Sequence, residues 1–346
     1  MTDCRPQQPD RPALPAGLVS ALRKCRRPTV FAHVNPDGDA VGSELAMAYG
    51  FRSLGAAPRV LAATSVADRF GFLDPGGLIE VVPEGESTDA IGQADLILIL
   101  DTSEPARIGH FQAEAWARPV PRCVVDHHLC EAPEVFDEAW IDTCSPSTGN
   151  LILNLLDALQ VPLTPEIADA LFVAVASDTG WFRYGNSTPE AFAAAERCVA
   201  AGANPERLHR LLYETSSPGR TRLLGQLLAR LCLAGADRVV YGVLTHEMVA
   251  ASGVGLAEID GFVDVLRTVK GAEIVFLAVE VSPGHFKVSL RSRGRLSIHP
   301  IAVRFGGGGH AQAAGCRLRG TESEVVAEIL AAARQVLGDV GKGHLA

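Results

Sequence analysis

The sequence lacks the features that would place the protein in a membrane, in a secreted compartment or on an extended basic surface. Its longest apolar runs, such as LILIL at 96–100, are far shorter than the ~20 residues of a membrane-spanning helix. The first residues, MTDCRPQQPDRPALPAG, contain no apolar segment like that of a signal peptide. The net charge of -9 argues against a broadly basic nucleic-acid binder. We therefore expect a cytoplasmic protein without a membrane partner, with a disordered tail at 1–15.

Cysteine pairs are also missing. None of the eight cysteines forms a Cys-x-x-Cys pair, and they are scattered along the chain. Scattered cysteines in a chain of 346 residues are typical of reduced core thiols in a cytosolic protein, not of a disulfide framework or a structural zinc site. The apolar fraction of 47% is sufficient for a sizeable core, and the length predicts two ordinary domains or one large one.

Short apolar runs that read as strands alternate with longer helical patterns over the first half of the chain. Strands are expected at 28–34, 58–64, 95–101 and 122–127. This alternation predicts an α/β fold with a mainly parallel sheet and helices on both faces. We place this first domain at 16–213, a helical linker at 214–234, a second, smaller α/β domain with a mixed sheet at 235–338, and a tail at 339–346.

Acidic residues and histidines follow four separate apolar segments. The segment HVNPDGDAVGS places His33, Asp37 and Asp39 after the first strand, and later segments end in LILILD, RCVVDHH and LFVAVASD. A structural alternative is that Asp39 is only a helix N-cap and Gly38 only a turn glycine. In a parallel sheet, however, the carboxyl ends of the strands face one crevice. The pattern therefore predicts one cluster containing Asp37, Asp39, Asp101, Asp126, His127, His128 and Asp178.

Such a cluster requires cations. Two like charges about 4 Å apart repel by about 4 kcal/mol at an effective dielectric constant of about 20. Two divalent ions would balance the four carboxylates of Asp37, Asp39, Asp101 and Asp178. With the imidazoles of His33 and His127, the donor set is mixed nitrogen and oxygen, which favours Mn²⁺, with zinc, iron and cobalt as alternatives.

The second domain contains a basic stretch. Residues 281–320 include no Asp or Glu but seven Lys and Arg residues, among them Arg295, and the glycine-rich segment FGGGGHAQAAG. A glycine run permits positive φ and close approach of the backbone to an anion, although a solvated basic face or a flexible linker remains the alternative. An arginine fork suits phosphate. The candidate substrate contacts are Arg291, Ser292, Gly307, Gly308, Gly309 and His310.

The motifs HVNPDGDAVGS, LDTSEPARIG, VVDHH and SDTGWFRYGNST resemble, in order, the four motifs of the DHH phosphoesterases. The segment VSLRSRGRLSIHPIAVRFGGGGHAQAAG resembles the DHH-associated C-terminal domain of the same enzymes. The resemblance covers nearly the whole chain except the first ~15 residues. It is closest to the short bacterial members that act as oligoribonuclease (nanoRNase) and pAp phosphatase.

This resemblance implies a site with two Mn²⁺ ions. His33 and Asp37 would hold one ion, Asp101 would bridge both, and the other would be held by Asp39, His127 and Asp178. Asp126 would orient a neighbouring group, and His128 would face the substrate phosphate. The chain departs from the family where a Glu is common near the start of the helix after the DHH loop. Asn150 occupies that region, and no role is transferred to it.

The sequence therefore predicts a manganese-dependent hydrolase of very short RNA oligonucleotides, pApA-type dinucleotides and pAp. The active site is expected between the metal-rich domain and the basic domain. Alternatives are a pyrophosphatase or exopolyphosphatase with the same core, a single-strand exonuclease, or a non-catalytic nucleotide-binding scaffold. The last would typically have lost metal ligands, whereas every expected ligand is present here. The sequence leaves a homodimer open.

Overall fold

The computed structural model describes residues 11–86, 89–130, 133–259, 261–293 and 296–342. The chain divides into two compact units, Met1–Thr215 and Ser216–Ala346. The predicted tails lie outside the described residues at 1–10 and 343–346, and so does Arg295. Arg11, in the predicted N-terminal tail, pairs with Asp142, its Nε lying 2.7 Å from Oδ2.

The first unit contains a six-stranded sheet in which all strands run parallel. The strand order is β3-β2-β1-β4-β5-β6, so the chain starts in the middle and builds outward in both directions. The strands are β1 (Pro28–Phe31), β2 (Arg59–Ala62), β3 (Ile79–Val81), β4 (Leu96–Leu100), β5 (Arg122–Asp126) and β6 (Glu138–Ile141).

Apolar side chains cover both faces of this sheet. Leu96, Leu98 and Leu100 of β4 pack in one cluster, and Ile97 and Ile99 pack in another on the opposite face. A parallel strand buried on both faces reads as a continuous apolar run, which is why LILIL shows no alternation. The helices are α1 (Ala16–Lys24), α2 (Gly38–Ser53), α3 (Asp89–Gln93), α4 (Gln112–Ala117), α5 (Thr148–Leu159), α6 (Pro165–Asp178), α7 (Pro189–Ala200) and α8 (Pro205–Tyr213).

The second unit contains a mixed sheet in the order β11-β12-β10-β9-β8-β7. Only the β8–β9 pair is parallel among the pairings of the described strands. The predicted α/β class, with a mainly parallel first sheet and a mixed second one, is confirmed. The strands are β7 (Cys232–Ala234), β8 (Val239–Leu244), β9 (Ile274–Ser282), β10 (His285–Ser292), β11 (Gly308–Gly309) and β12 (Ala313–Arg319).

Helices also cover both faces of the second sheet. Leu223 and Leu227 of α9, in the segment predicted as a linker, are buried in a cluster with Val240 and Leu244 of β8. The opposite face packs against the apolar side of α13. The helices are α9 (Pro218–Ala229), α10 (His246–Ser252), α11 (Phe262–Leu266), α12 (His299–Arg304) and α13 (Glu322–Lys342). No helix in the described part of the chain is long and apolar enough to cross a membrane.

The cysteines of the described residues are free thiols. Cys25, Cys123 and Cys198 are buried, and burial raises the pKa of each thiol to about 12. Such thiols stay protonated at neutral pH and behave as small apolar side chains.

Three helices meet closely because glycines occupy the contact points. A Cβ on Gly42 of α2 would lie 2.3 Å from the carbonyl oxygen of Ala170 in α6. A Cβ on Gly149, at the start of α5, would lie 2.6 Å from the Cβ of Ala174, also in α6. Both distances are far below van der Waals contact, so alanine at either position requires the helices to separate.

We expect Gly42→Ala and Gly149→Ala each to destabilise the protein by about 1–3 kcal/mol, the usual range for overpacking. The Gly149→Ala loss should be partly recovered by Ala174→Gly, because that change removes the atom that the new methyl group meets. The measurement is urea unfolding of the single and double variants, analysed as a double-mutant cycle.

Gly42→Ala provides the matched control. Its new Cβ would lie 2.3 Å from the Ala170 carbonyl oxygen, which Ala174→Gly leaves in place, and 2.9 Å from the Ala174 Cβ, so Ala174→Gly removes only the longer of these two contacts. The rescue by Ala174→Gly should therefore be larger for Gly149→Ala than for Gly42→Ala. Equal recovery of stability in both variants would show that the helices move apart as rigid units, so that the cost does not depend on which atom the new methyl group meets.

Candidate metal centre and phosphate-binding site

Histidines and aspartates collect at the carboxyl edge of the first sheet. His33 follows β1, Asp101 follows β4, and His127 follows β5, which ends at Asp126. These three strands are neighbours in the sheet and run parallel, so their carboxyl ends lie side by side. The strand-end argument from the sequence therefore holds for these residues.

The remaining acidic residues arrive on helices. Asp37 is the N-cap of α2, its Oδ1 accepting hydrogen bonds from the Asp39 and Ala40 N–H groups at 3.0 and 3.2 Å. The alternative that Asp39 is the cap is therefore wrong. Asp178 is the last residue of α6, so the parallel-strand argument does not apply to it. Its apolar run is a helix, started by Thr164 as N-cap and a proline at the first position.

The ring of His127 points into the carboxylates. Its Nε2 lies 3.7 Å from Asp39 Oδ2 and 3.6 Å from both Asp101 Oδ1 and Asp178 Oδ2. This nitrogen is buried and has no hydrogen-bond partner in the described structure. The other ring nitrogen, Nδ1, lies 3.3 Å from the Ser145 carbonyl oxygen. A proton on Nδ1 leaves a lone pair on Nε2 aimed at the carboxylates, which fits a cation between them.

The ring of His33 has the same arrangement. Its Nδ1 donates to the Val34 carbonyl oxygen at 2.9 Å, and its Nε2 lies 3.5 Å from Asp101 Oδ2. The possible metal-binding atoms form three groups, and within each group the atoms lie within 4.8 Å of one another. The groups are His33 with Asp37 and Asp101, Asp39 with His127 and Asp178, and Asp101 with His127 and His128. All six residues expected as metal ligands are thus brought together.

The buried carboxylates of the cluster repel one another. Burial, together with repulsion from Asp101 and Asp178, raises the pKa of Asp39 well above its ordinary value. Burial raises the pKa of Asp178 to about 6, with His127 opposing the rise and Asp101 adding to it. The cluster therefore favours protons unless a cation is bound. Divalent cations bound by these oxygen and nitrogen atoms would stabilise the ionised carboxylates.

Asp126 and His128 form a separate hydrogen-bonded pair. Asp126 is fully buried, and its Oδ1 accepts from the backbone N–H of His128 at 3.1 Å and lies 2.8 Å from Nδ1 of the same residue. This hydrogen bond and the charge of Asp126 raise the pKa of His128 despite burial. Burial alone would raise the pKa of Asp126, but the bonds from His128 outweigh it and lower that pKa. The pair therefore favours the protonated form of an imidazole that is 49% exposed beside the cluster.

The second unit contains a cavity of about 420 Å³ over one face of its sheet. Lys287, Ser289 and Arg291 are alternate residues of β10 and line it from the same side, with Gly308 and Gly309 of β11. The Nε of Arg291 lies 3.2 Å from Asp264 Oδ1, which fixes the guanidinium. The apolar part of the wall comes from β9 and from residues around α11, including Leu277, Val279 and Val263. A cationic rim above an apolar wall suits a phosphorylated ligand with an apolar part.

The comparison with family models agrees with this division. Residues 28–175 match the DHH family N-terminal domain, and residues 238–339 match the DHHA1 domain. The chain combines a DHH domain with a DHHA1 domain. It is an enzyme that hydrolyses phosphoester bonds.

Curated relatives match this DHH protein over most of its length. The bifunctional oligoribonuclease and PAP phosphatase NrnA of Thermus thermophilus is 29% identical over 94% of both chains. The protein of the same name from Bacillus subtilis is 25% identical over 83% of this chain and 87% of its own. Among solved structures, an exopolyphosphatase-related protein from Bacteroides fragilis has a TM-score of 0.84 at 23% identity, covering 92% of this chain and 95% of that one. That likeness shows the fold.

The DHH domain also contains site residues that the sequence analysis missed. Asp39 accepts hydrogen bonds from the backbone N–H groups of Thr148 and Gly149, at 2.7 and 2.8 Å, at the N-terminus of α5. The Thr148 hydroxyl donates to Asp101 at 2.9 Å. The positive end of a helix thus supports two of the carboxylates. The signal was available in the sequence, because Ser147 before an apolar run is a typical N-cap.

Asn150 belongs to the same helix start. Its backbone N–H donates to the Ser147 hydroxyl at 3.1 Å, and its side chain donates to the Glu190 carbonyl at 3.3 Å. It therefore helps to fix the N-terminus of α5. Glu44, a second missed residue, is buried beneath the site, and burial raises the pKa of its carboxyl well above the ordinary range.

Only some of the substrate contacts expected in the DHHA1 domain line its cavity. Ser292 is buried and its hydroxyl donates to the Leu296 carbonyl at 2.6 Å, so this side chain is engaged in the fold rather than in the cavity. Gly307 packs against β12, where a Cβ would lie 2.1 Å from the Gly315 carbonyl oxygen. His310 is exposed, and its backbone N–H donates to the Ala313 carbonyl at 2.8 Å. Of the predicted contacts, Arg291, Gly308 and Gly309 line the cavity.

Proposed function

We propose that this protein is a manganese-dependent phosphodiesterase and phosphatase that cleaves very short RNA oligonucleotides and dinucleotides to mononucleotides and converts pAp to AMP. The observation that carries the proposal is the buried, unpartnered Nε2 of His127, which faces oxygens of Asp39, Asp101 and Asp178 at 3.6–3.7 Å. The substrate class is supported by the relatives from T. thermophilus and B. subtilis, which are named for these two activities.

In this proposal the cluster holds two metal ions. His33 and Asp37 would hold one, His127, Asp39 and Asp178 would hold the other, and Asp101 would contribute to both. The carbonyl groups of Val34 and Ser145 fix the two histidine rings in the tautomer that presents Nε2. The bound ions supply Lewis-acid activation of the attacking water and neutralise charge on the phosphoryl group. The mixed nitrogen and oxygen donors favour Mn²⁺.

His128 acts on the phosphate. Asp126 fixes the ring through Nδ1 and stabilises its protonated form, so the ring offers a positive charge and its remaining N–H to a phosphoryl oxygen. Because Nδ1 is engaged by Asp126, the ring is oriented before substrate binds. No rotation of His128 is then needed as negative charge increases on the phosphoryl group.

Arg291 is the proposed anchor for a second phosphate or for the end of the oligonucleotide. It lines the 420 Å³ cavity of the DHHA1 domain with Gly308 and Gly309, and Asp264 holds its guanidinium. A cavity of this size falls in the range of about 300–1,000 Å³ that holds small-molecule ligands. The cavity therefore suits a single nucleotide, and the additional nucleotides of a long strand would not increase binding to it.

The test is a series of product time courses with 5′-labelled RNAs of about two to twenty nucleotides, and with pAp, in the presence of Mn²⁺. We expect kcat/KM for dimers to about pentamers to exceed that for 20-mers, because the anchoring cavity accommodates one nucleotide unit. Mononucleotides should accumulate from the shortest substrates, and AMP should accumulate from pAp.

Inorganic pyrophosphate and polyphosphate serve as comparison substrates in the same buffer. Faster hydrolysis of either one than of any dinucleotide would assign the protein to a different phosphoester or phosphoanhydride substrate. Equal kcat/KM across all RNA lengths would contradict the role of the bounded cavity. Bound Mn²⁺ without hydrolysis of any substrate, neither mononucleotide formation from RNA nor phosphate release from pAp, would indicate a non-catalytic scaffold.

A further inference from the structure

A small hollow adjoins the metal cluster within the DHH domain. It has a volume of about 160 Å³, and the metal-cluster residues Asp37 and Asp178 form part of its wall. The rest of the wall includes Arg69, Phe70 and Tyr213. This volume is well below the range of about 300–1,000 Å³ for drug-sized ligands. The hollow therefore accommodates a single ring system next to a metal-bound phosphate, but not a whole dinucleotide.

Tyr213 is exposed and yet held in place. It is the last residue of α8 and remains 47% exposed. Its ring packs against the edge of Trp181, at a centroid distance of 5.6 Å and an angle of 77°, and against His209 at 5.1 Å. A large aromatic ring that is supported from behind and exposed in front is arranged as a stacking surface.

A strained turn puts Trp181 in this supporting position. Gly180, Trp181 and Phe182 follow Asp178 closely and all have positive φ, at 56°, 56° and 61°. Bulky residues rarely adopt this conformation, and such strain concentrates where function requires a particular geometry. The turn leaves the Trp181 ring in edge contact with both His209 and Tyr213. The same segment thus places a cluster carboxylate and supports the exposed ring.

Arg69 supplies a cation in the same hollow. It is exposed on the 3₁₀ turn Asp68–Leu73, and its guanidinium carbon lies 4.9 Å from the centre of the Phe70 ring. Within the described residues, no carboxylate forms an ion pair with it. The guanidinium plane is therefore available to stack on a second ring or to contact an anion.

We propose that Tyr213 and Arg69 form a nucleobase subsite, which holds the base of the nucleotide whose phosphate lies at the metal cluster. The inference rests on the proposed function, because it requires a nucleotide at this site. Bases in single-stranded RNA are bound by stacking on aromatic rings and on guanidinium planes. Since the recognition is by stacking, the subsite accepts any of the four bases and distinguishes a nucleotide from a sugar phosphate.

The test compares two ligands that share a phosphate but differ in the base. Binding of AMP and of ribose 5-phosphate to the Mn²⁺-equilibrated full-length protein is measured by isothermal titration calorimetry. We expect AMP to bind the wild type about tenfold more tightly, which is about 1.4 kcal/mol, a typical contribution of one stacked base. The measured quantity is the ratio of the AMP affinity to the ribose 5-phosphate affinity. Tyr213→Leu, which keeps an apolar side chain but removes the ring, should reduce this ratio to about one.

Phe192→Ala is the matched control. Phe192 is 53% exposed and stacks on Phe182, but it does not line the hollow. The ratio of AMP affinity to ribose 5-phosphate affinity in Phe192→Ala should equal that of the wild type. Arg69→Ala is a second subsite variant, and because Arg69 is exposed its loss should leave the melting temperature unchanged. We expect this variant to reduce the ratio several-fold, independently of whether Tyr213→Leu folds.

The outcomes separate the subsite from the proposed function. A wild-type ratio near one, or a ratio unaffected by both Tyr213→Leu and Arg69→Ala, overturns the subsite even if dinucleotides are hydrolysed. A ratio that depends on Tyr213 and Arg69 supports the subsite even if no oligonucleotide is cleaved, in which case the proposed function fails alone. Loss of the ratio in Phe192→Ala as well would assign the effect to general loosening of the aromatic cluster and would overturn the subsite.

Discussion

Replacing Asp101 by asparagine is expected to abolish turnover and tight metal binding together. Its two carboxylate oxygens lie 3.5 Å from His33 Nε2 and 3.6 Å from His127 Nε2, so its charge serves both halves of the cluster. Loss of partners that only orient metal ligands already costs about 10–100-fold. We therefore expect kcat/KM to fall by more than about a thousandfold. Metal content of the purified variant is measured by plasma mass spectrometry.

Asparagine is the appropriate replacement because Asp101 has a φ of 59°, a conformation that Asn tolerates better than other residues. Asp157→Asn is the control. Asp157 is half exposed and pairs with Arg197 at 2.6 Å on the surface, and such pairs contribute about 0–1 kcal/mol. This control should keep full metal content and rate. Two bound ions and a near-normal rate in Asp101→Asn would show that no ion depends on Asp101.

His128→Ala is expected to lower kcat by about 10²–10³ while metal content stays normal, the loss typical of removing one donor to a developing oxyanion. The ring is tied to Asp126 at 2.8 Å and is 49% exposed, so its free edge faces solvent beside the cluster. Single-turnover rates and metal content, measured on the same preparation, separate the chemical step from metal loading.

His285→Ala controls for the loss of an imidazole. His285 begins β10 in the second unit and is exposed, so the variant should have wild-type kcat. A large loss of metal in His128→Ala would contradict the assignment to the phosphate. It would instead make His128 a ligand, together with Asp101 and His127, whose donor atoms lie within 4.8 Å of its own.

The sequence predicted those parts of the cluster that depend on local pattern. LILIL and the CVV of RCVVD are continuous apolar runs, and a run of this kind between helical segments forms a strand buried on both faces. Once these strands are parallel neighbours, the residues that follow them must lie together. The positions of His33, Asp101 and His127 relative to one another are therefore a consequence of strand order and need no side-chain information.

The parts that the sequence did not predict depend on contacts between distant segments. Asp39 is held by N–H groups of residues 148 and 149, and no local pattern links these segments. The run FGGGGHAQAAG was expected to bind anions, but its last three residues begin β12, whose alternation of small and apolar residues is too weak to indicate a strand. Ser292, the neighbour of Arg291 in the sequence, was also expected to contact the substrate. On a strand, however, neighbouring side chains point to opposite faces, and only Arg291 lines the cavity.

The strand order has a consequence for how the protein matures. The first strand to be synthesised, β1, lies in the middle of the sheet, and the donor atoms extend from residue 33 to residue 178. A nascent chain emerging from the ribosome therefore has no complete metal centre until α6 has been made and docked. A cation that requires the complete cluster would bind only after this docking, and its stabilisation of the domain would grow with the logarithm of its free concentration. We therefore expect a ribosome-bound fragment that ends before α6 to lack phosphoester hydrolysis, which should begin only when the domain is assembled.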